Sequence, residues 1–212
     1  MKRWNKVGIL LAAGQSRRMG ENKLALPFEG STIGSRALSR ALDSALDHVF
    51  VVVRKGDTLH WIDPLLKDPS FSEKWSAVRC TEPADGQSKS LAQGVRAAQA
   101  YGASFVITLL ADQPFLSASI INKLITCYSA EKEHGIYYVA SVHEGIVQPP
   151  VLMGAPIFEH LLSLEGDAGA GRLLKQFAER GRRVPFRNGW SFFDVDTRAD
   201  YAWVRSMEVE AK

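Results

Sequence analysis

Apolar residues along the chain follow two rhythms. Short, nearly unbroken apolar runs occupy residues 7–12, 48–53 and 105–110, while longer stretches at 35–46, 88–101 and 117–128 carry apolar residues three and four apart. A short continuous run suits a strand buried on both faces. The spacings of Leu38, Leu42 and Leu46, of Leu91, Val95 and Ala98, and of Ile120, Ile121, Leu124, Ile125 and Tyr128 each place one set on a helix face. The clearest strand is 105–110, β-branched at Val106, Ile107 and Thr108. It ends in Asp112 and Pro114, and Ser117 is expected to cap the following helix. A weaker strand is expected at 77–80. Trp61, Ile62, Leu65 and Leu66 suggest a short helix broken by Pro64, and Asp85-Gly86 marks a turn.

The rhythm changes after Glu133. Residues 136–142 read as a strand, 146–153 as an extended segment around Pro149 and Pro150, and 156–164 and 169–180 as helices. A last strand is expected at 191–195, before a helix at 197–207. Strand and helix alternating at this length predict βαβ units: a three-layer αβα sandwich on a mostly parallel sheet, with an irregular, partly antiparallel portion in its third quarter. A chain of 212 residues fits one domain, 1–212.

Composition mainly narrows the function. A formal charge of +3 is too small to argue for nucleic acid, and neither Arg17-Arg18 nor the basic stretch 180–187 is interleaved with aromatics as a base-stacking surface would be. The two cysteines, Cys80 and Cys127, form no Cys-x-x-Cys pair, which speaks against a disulfide scaffold or zinc site; both read as reduced core thiols. No stretch approaches the ~18 apolar residues of a membrane span, and 7–13 is too short for a signal-peptide core. The expectation is a cytoplasmic protein without membrane contact. The five histidines do not cluster, and Ser88 and Ser90 lie in no Gly-x-Ser-x-Gly elbow. Trp61, Trp75 and Trp190 read as core or rim.

Four segments carry candidate chemistry. Leu11-Ala12-Ala13-Gly14-Gln15-Ser16-Arg17-Arg18-Met19-Gly20 follows the first strand directly, with Lys23 just beyond. Small residues let a backbone approach an anion, and arginine and lysine suit phosphate. The pattern is neither a Walker loop nor a dinucleotide fingerprint, and a plain turn with solvated arginines remains the alternative. Asp112 ends the best strand, where open α/β sheets bind ligands. A lone aspartate there suits Mg²⁺, which prefers one or two carboxylates with phosphate and water, or else it makes a turn before Ser117. In Asp194-Val195-Asp196, alternation points both aspartates the same way. Either can supply a second carboxylate; Asp194 is taken as the ligand and Asp196 as mainly structural, able to cap the last helix. Gly86, Ser88 and Ser90 open a helix whose N–H groups attract anions, with Thr81 and Glu82 leading in. Gly166-Asp167-Ala168-Gly169-Ala170 precedes another helix and, taken alone, is a turn with an N-cap.

In order and form these segments resemble the MobA-like nucleotidyltransferases, and within them the molybdenum cofactor cytidylyltransferases and xanthine dehydrogenase accessory proteins. The resemblance runs from Val7 to Tyr201. It departs at Ala111, where relatives have glycine, at Arg198, where they have proline, and at Gln148-Pro149. It implies a nucleotide-diphospho-sugar transferase-like, Rossmann-like fold. Gly14, Arg18 and Lys23 would wrap and neutralise a triphosphate, with Leu11, Ala12 and Ala13 beneath the nucleotide. Thr81, Gly86, Ser88 and Ser90 would recognise it, Asp112 and Asp194 would hold Mg²⁺, and Pro150, Asp167 and Gly169 would lie on the acceptor side. The catalytic set is then Lys23, Arg18 and Asp112. The implied reaction moves CMP from CTP to the terminal phosphate of molybdenum-loaded molybdopterin and releases pyrophosphate, with a molybdenum hydroxylase such as xanthine dehydrogenase, or its insertion chaperone, as partner. Rivals are a guanylyl, sugar-phosphate or polyol-phosphate transferase and a non-catalytic cofactor carrier.

Overall fold

The computed structural model describes residues 5–80, 86–164 and 170–210, the side chains of 208–210 excepted. The chain opens with β1 (Asn5–Leu11), a small hairpin of β2 (Pro27–Phe28) and β3 (Ser31–Thr32), α1 (Ile33–Leu42) and β4 (His48–Val53). A one-turn helix α2 (Pro69–Ser72), β5 (Trp75–Arg79), α3 (Gln87–Ala100), β6 (Ala103–Leu110) and α4 (Ala118–Glu131) follow. Then come β7 (Tyr138–His143), β8 (Ile146–Gly154), α5 (Phe158–Leu162), α6 (Gly171–Gln176), β9 (Gly181–Pro185) and α7 (Arg198–Glu210).

Seven strands form one sheet in the order β5-β4-β1-β6-β8-β7-β9. The first four run parallel. Only β8 is reversed, pairing antiparallel with both β6 and β7, and β9 returns parallel to β7. The unbroken apolar runs are explained by burial on both faces. In β1, Val7 and Ile9 pack on α3, whereas Leu10 packs on the side of α1 and α4. One core contains Ala37, Leu38 and Ala41 of α1 with Ile121 and Leu124 of α4; the other contains Leu91, Val95 and Ala98 of α3 with Leu161 and Leu173. Helices on both faces of a mostly parallel sheet make three layers. Helix α3 sits close on β1: a Cβ on Gly94 would lie 2.4 Å from Ile9 Cγ2. Among the described residues no helix is long and apolar enough to cross a membrane.

A third, smaller core joins the first loop to the C-terminal helix. Met19, Leu26, Phe28 and Ile33 pack there with Val195 and with Val204 of α7. Val195 is wholly buried, and the valine pointing inward turns its neighbours Asp194 and Asp196 to the opposite side.

The structure corrects several expectations. Residues 191–195 are no strand. A 3-10 turn, Gly189–Phe192, leads into an extended link that touches the body of the protein through Val195 N, which donates to Asp112 O at 3.0 Å. The strand that does exist nearby is β9, whose arginine-rich edge lacks any apolar pattern. Pro64 does not break a helix but starts the 3-10 turn Pro64–Lys67, where a missing N–H loses no bond; Asp63 Oδ1 accepts from Leu65 N at 3.0 Å. Ser117 stands at the N-cap of α4 but its hydroxyl pairs with Ser119 Oγ at 2.8 Å and makes no cap bond. Nor does Asp196 cap α7. Thr197 Oγ1 accepts from Asp200 N, and Asp200 Oδ2 accepts from Thr197 N at 2.7 Å and Asp196 N at 3.0 Å, a reciprocal box one residue later. Both cysteines are free thiols, though Cys127 is only half-buried.

Candidate active site

A cleft of about 940 Å³ opens beyond the carboxyl ends of β1 and β6, where Leu11 and Leu110 reach its wall. Such strand ends are where open α/β sheets place ligands, because the helices that follow present N–H groups there. The loop after β1 forms one side. Ser16, at φ 49°, turns the chain back, and its carbonyl accepts from Met19 N at 3.0 Å and Gly20 N at 3.2 Å. Ser16 Oγ accepts from Lys23 N at 3.3 Å, which ties the loop to the lysine behind it. Opposite, α3 begins at Gly86, whose φ of 100° suits glycine, and Gly86, Gln87 and Ser90 face the cleft.

Three carboxylates and two cations meet on the cleft floor. Asp112 follows β6, and its backbone oxygen receives Val195 N, so one hydrogen bond sets the link bearing Asp194 and Asp196 beside Asp112. Lys23 Nζ donates to Asp112 Oδ2 and, at 2.8 Å, to Asp196 Oδ1. Arg18 Nη2 donates to Asp196 Oδ2 at 2.8 Å. Burial by itself would lower the Lys23 pKa, but the charges of Asp112 and Asp196 and their hydrogen bonds outweigh it and hold the ammonium above the ordinary lysine value. Asp196 is drawn below the usual carboxylate range: lost solvation pushes it up, and Lys23 and Arg18 together more than reverse that.

Asp194 differs. Water reaches it, yet the concave wall crowds it with protein atoms. That lost solvation first, and the charge of Asp112 second, push its carboxyl up to about 6; the hydrogen bond from Gln113 works the other way. Gln113 Nε2 donates to Asp194 Oδ1 at 2.8 Å. Among the described residues no three His, Cys, Asp or Glu side chains converge as a ready-made metal cage. A pair of carboxylates, one of them, Asp194, in no ion pair among the described residues, fits a hard divalent ion that takes its remaining ligands from phosphate and water.

The structure brings most of the expected site residues into one cleft. Leu11, Ala12, Ala13, Gly14, Arg18, Lys23, Gly86, Ser90, Asp112 and Asp194 all line it. Ser88 does not: it is wholly enclosed beneath the start of α3. At the Pro149-Pro150 pair it is Pro149 that lines the cleft, while the Pro150 carbonyl accepts from buried Ser141 Oγ at 2.8 Å. Thr81, Glu82, Asp167 and Gly169 lie outside the described residues. Ala13 is only 4% exposed and packs in the core against α3, so its methyl offers little steric bulk to a bound base. Sequence reasoning missed Asp196 as the partner of both cations, and it gave Gln87 and Gln113, which lie within its motifs, no role of their own. The inward-pointing Val195 was the available signal for Asp196; nothing in the sequence marked Gln113 as touching Asp194.

Comparison with known proteins places this cleft in context. Residues 8–183 match the MobA-like NTP transferase domain. The chain is 39% identical to the purine catabolism protein PucB of Bacillus subtilis over 201 residues, 94% of this chain and 95% of PucB. It is 30% identical to a probable molybdenum cofactor guanylyltransferase of Mycobacterium avium, over 56% of this chain and 55% of that protein. Among solved structures, the manganese complex of Rv0371C from Mycobacterium tuberculosis superposes with a TM-score of 0.69 at 20% identity, covering 94% of this chain and 97% of that one, which is a likeness of fold.

Proposed function

We propose, from the premise that the chain belongs to the MobA-like NTP transferase family and is a homologue of PucB, that it is the member which transfers CMP from CTP to the terminal phosphate of molybdenum-loaded molybdopterin. Nucleotidyl transfer is the chemistry of the family. The cytidylyl donor, the molybdopterin acceptor and Mg²⁺ are the finer reading. The observation that supports nucleotidyl transfer is the cleft floor: a glycine loop, a buried lysine and two neighbouring carboxylates, Asp112 and Asp194, at the carboxyl end of a parallel sheet.

The reaction needs no protein nucleophile. An oxygen of the acceptor's terminal phosphate attacks the α-phosphorus of CTP in line, and the bond to pyrophosphate breaks as the new one forms. Held by Asp112 and Asp194, Mg²⁺ would supply charge stabilisation to the triphosphate oxygens. Arg18 and Lys23 stabilise the negative charge that builds on the departing pyrophosphate. Backbone groups of residues 11–14 hold the nucleotide still, so that the reaction gains from orientation. Gly86, Gln87 and Ser90 lie where a base or ribose is bound. Pro149 marks the side from which the acceptor enters, with Pro150 next to it in the chain; Asp167 and Gly169 are assigned to the acceptor by the family resemblance alone. A molybdenum hydroxylase or its chaperone would receive the product.

Guanylyl transfer is a second reading, favoured by one observation. With the Ala13 methyl packed into the core, that residue gives no steric reason to reject a purine. The choice falls to hydrogen bonding along the start of α3, where a buried group left unpaired by the wrong base costs about 1–3 kcal/mol. A factor of ten needs only about 1.4 kcal/mol. The test is a turnover screen of the four NTPs with molybdenum-loaded molybdopterin, measuring pyrophosphate and product mass. We expect kcat/KM for CTP to exceed that for GTP at least ~tenfold. GTP equal or better moves the assignment to guanylyl transfer, and binding without pyrophosphate release points to a carrier.

A further inference from the structure

We infer that Gln113 is a positioning residue: its amide orients the Asp194 carboxylate for a divalent cation without neutralising it. The inference rests on the nucleotidyltransferase reading and concerns a residue that reading does not use.

Gln113 follows Asp112 directly, yet it is only 1% exposed. Its backbone is held at both ends, N donating to Leu110 O at 3.4 Å and O accepting from Leu116 N at 3.3 Å. Its side-chain Nε2 donates to Asp194 Oδ1 at 2.8 Å. Its other end makes no such bond: Oε1 is buried and has no hydrogen-bond partner among the described residues. A buried carbonyl without a partner is destabilising, and an apolar side chain of the same length would avoid that loss. Packing therefore gives no reason for an amide here, whereas the bond to Asp194 does.

The choice of a neutral donor has a physical logic. The two cations on the cleft floor go to Asp112 and Asp196. A lysine or arginine against Asp194 would orient it equally well but would supply the charge that an incoming cation must supply. An amide fixes the direction of Oδ1, leaves Oδ2 for a ligand, and leaves the net charge in place. Groups that orient metal ligands in this way alter metal affinity by roughly 10–100-fold when removed.

The experiment compares wild type, Gln113→Met, Asp194→Asn and the double variant. Mn²⁺ binding is followed by electron paramagnetic resonance with a non-hydrolysable CTP analogue present, alongside thermal melting without metal. Gln113→Met is expected to melt at or above wild type, because the orphaned carbonyl is gone, and to bind Mn²⁺ about tenfold more weakly. Turnover should fall through kcat with little change in the KM for CTP. In the Asp194→Asn background, Gln113→Met should add less than about twofold, since the two groups act as one unit. Gln113→Asn, an amide one methylene short, should fall between wild type and Gln113→Met. Mn²⁺ affinity equal to wild type, an undiminished effect in the Asp194→Asn background, or a melt well below wild type each overturns the inference; the last would make Gln113 a packing element. A wild-type protein that binds no Mn²⁺ with nucleotide overturns the nucleotidyltransferase reading instead.

Discussion

The two ends of the cleft floor are built from the same short link and have opposite electrostatics. Asp196 lies at one end, bonded by Lys23 and Arg18 and held below the usual carboxylate range. Asp194 lies at the other, two residues earlier, bonded among the described side chains only by a neutral amide and pushed up to about 6. Val195 between them fixes both directions through its own burial. Thus identical side chains on one segment can serve as a structural counter-ion and as a charge awaiting a partner. The difference is made by what each faces: Arg18 and Lys23 bond Asp196, whereas lost solvation and the charge of Asp112 raise Asp194 despite the bond from Gln113.

The strongest way to break the contrast is to remove what both ends share. Asp112 bonds Lys23 on one side and raises Asp194 by its charge on the other. Asp112→Ala is expected to lower pyrophosphate release on the order of 10³-fold, the scale of a lost electrostatic contact in the transition state. Circular dichroism should remain native, since Asp112 is at the rim of the sheet. A folded variant with near-normal turnover would take Asp112 out of the site.

Next in size is Lys23→Met, which strips the compensated end and leaves Asp112 and Asp196 facing each other. Turnover should fall about 10²-fold. The metal-free protein should lose about 1–2 kcal/mol, because Lys23 is nearly buried while its partners are partly wet. For a chain of this size that is a melting point lower by about 2–8 °C. Added Mn²⁺ should recover part of it. An unchanged melt would mean that the ion pairs contribute nothing to the fold.

The smallest effect is also the sharpest discriminator, because it depends on pH. A carboxyl raised in the folded protein binds a proton that the unfolded chain has already lost. Between 3.8 and about 6, Asp194 therefore makes stability fall as pH rises. Asp196 has the opposite sign: its pKa is lowered, so its contribution is present above the ordinary carboxylate range and disappears on acidification. Asp194→Asn should flatten the loss of metal-free stability as pH rises toward 6, whereas Asp196→Asn should flatten the loss on the acid side. Chemical denaturation at several pH values measures both. If the two variants behave alike, the electrostatic difference between the two ends is wrong.

Much of this molecule was legible in its sequence, and the rest was hidden for identifiable reasons. Strands β1, β4 and β6 are buried on both faces, so their runs are unmistakably apolar; β9 is an edge strand whose Arg182 and Arg183 look outward, so it reads as loop. The helices α1, α3 and α4 carry one apolar face each and were placed to within a few residues. The link 193–196 looked like a strand because burial of Val195 mimics alternation, though it makes a single bond to Asp112 instead of a ladder. In the site, the glycine loop, Lys23 and Asp112 are continuous motifs. The pairing of Lys23 with Asp196 spans the chain, and no local pattern encodes it. The enclosure of Ser88 likewise depends on how closely α3 sits on the sheet.

Lys23 has one further consequence. On the proposed reaction, the ammonium that bridges Asp112 and Asp196 has one N–H left over for a phosphate oxygen, and a divalent ion would compete with it for the Asp112 carboxylate. On that reading Lys23 acts as an interlock: a guest bringing its own surplus of negative charge would draw the ammonium toward itself and ease the escorted ion onto Asp112. Arrival of nucleotide and ion would then be a joint event.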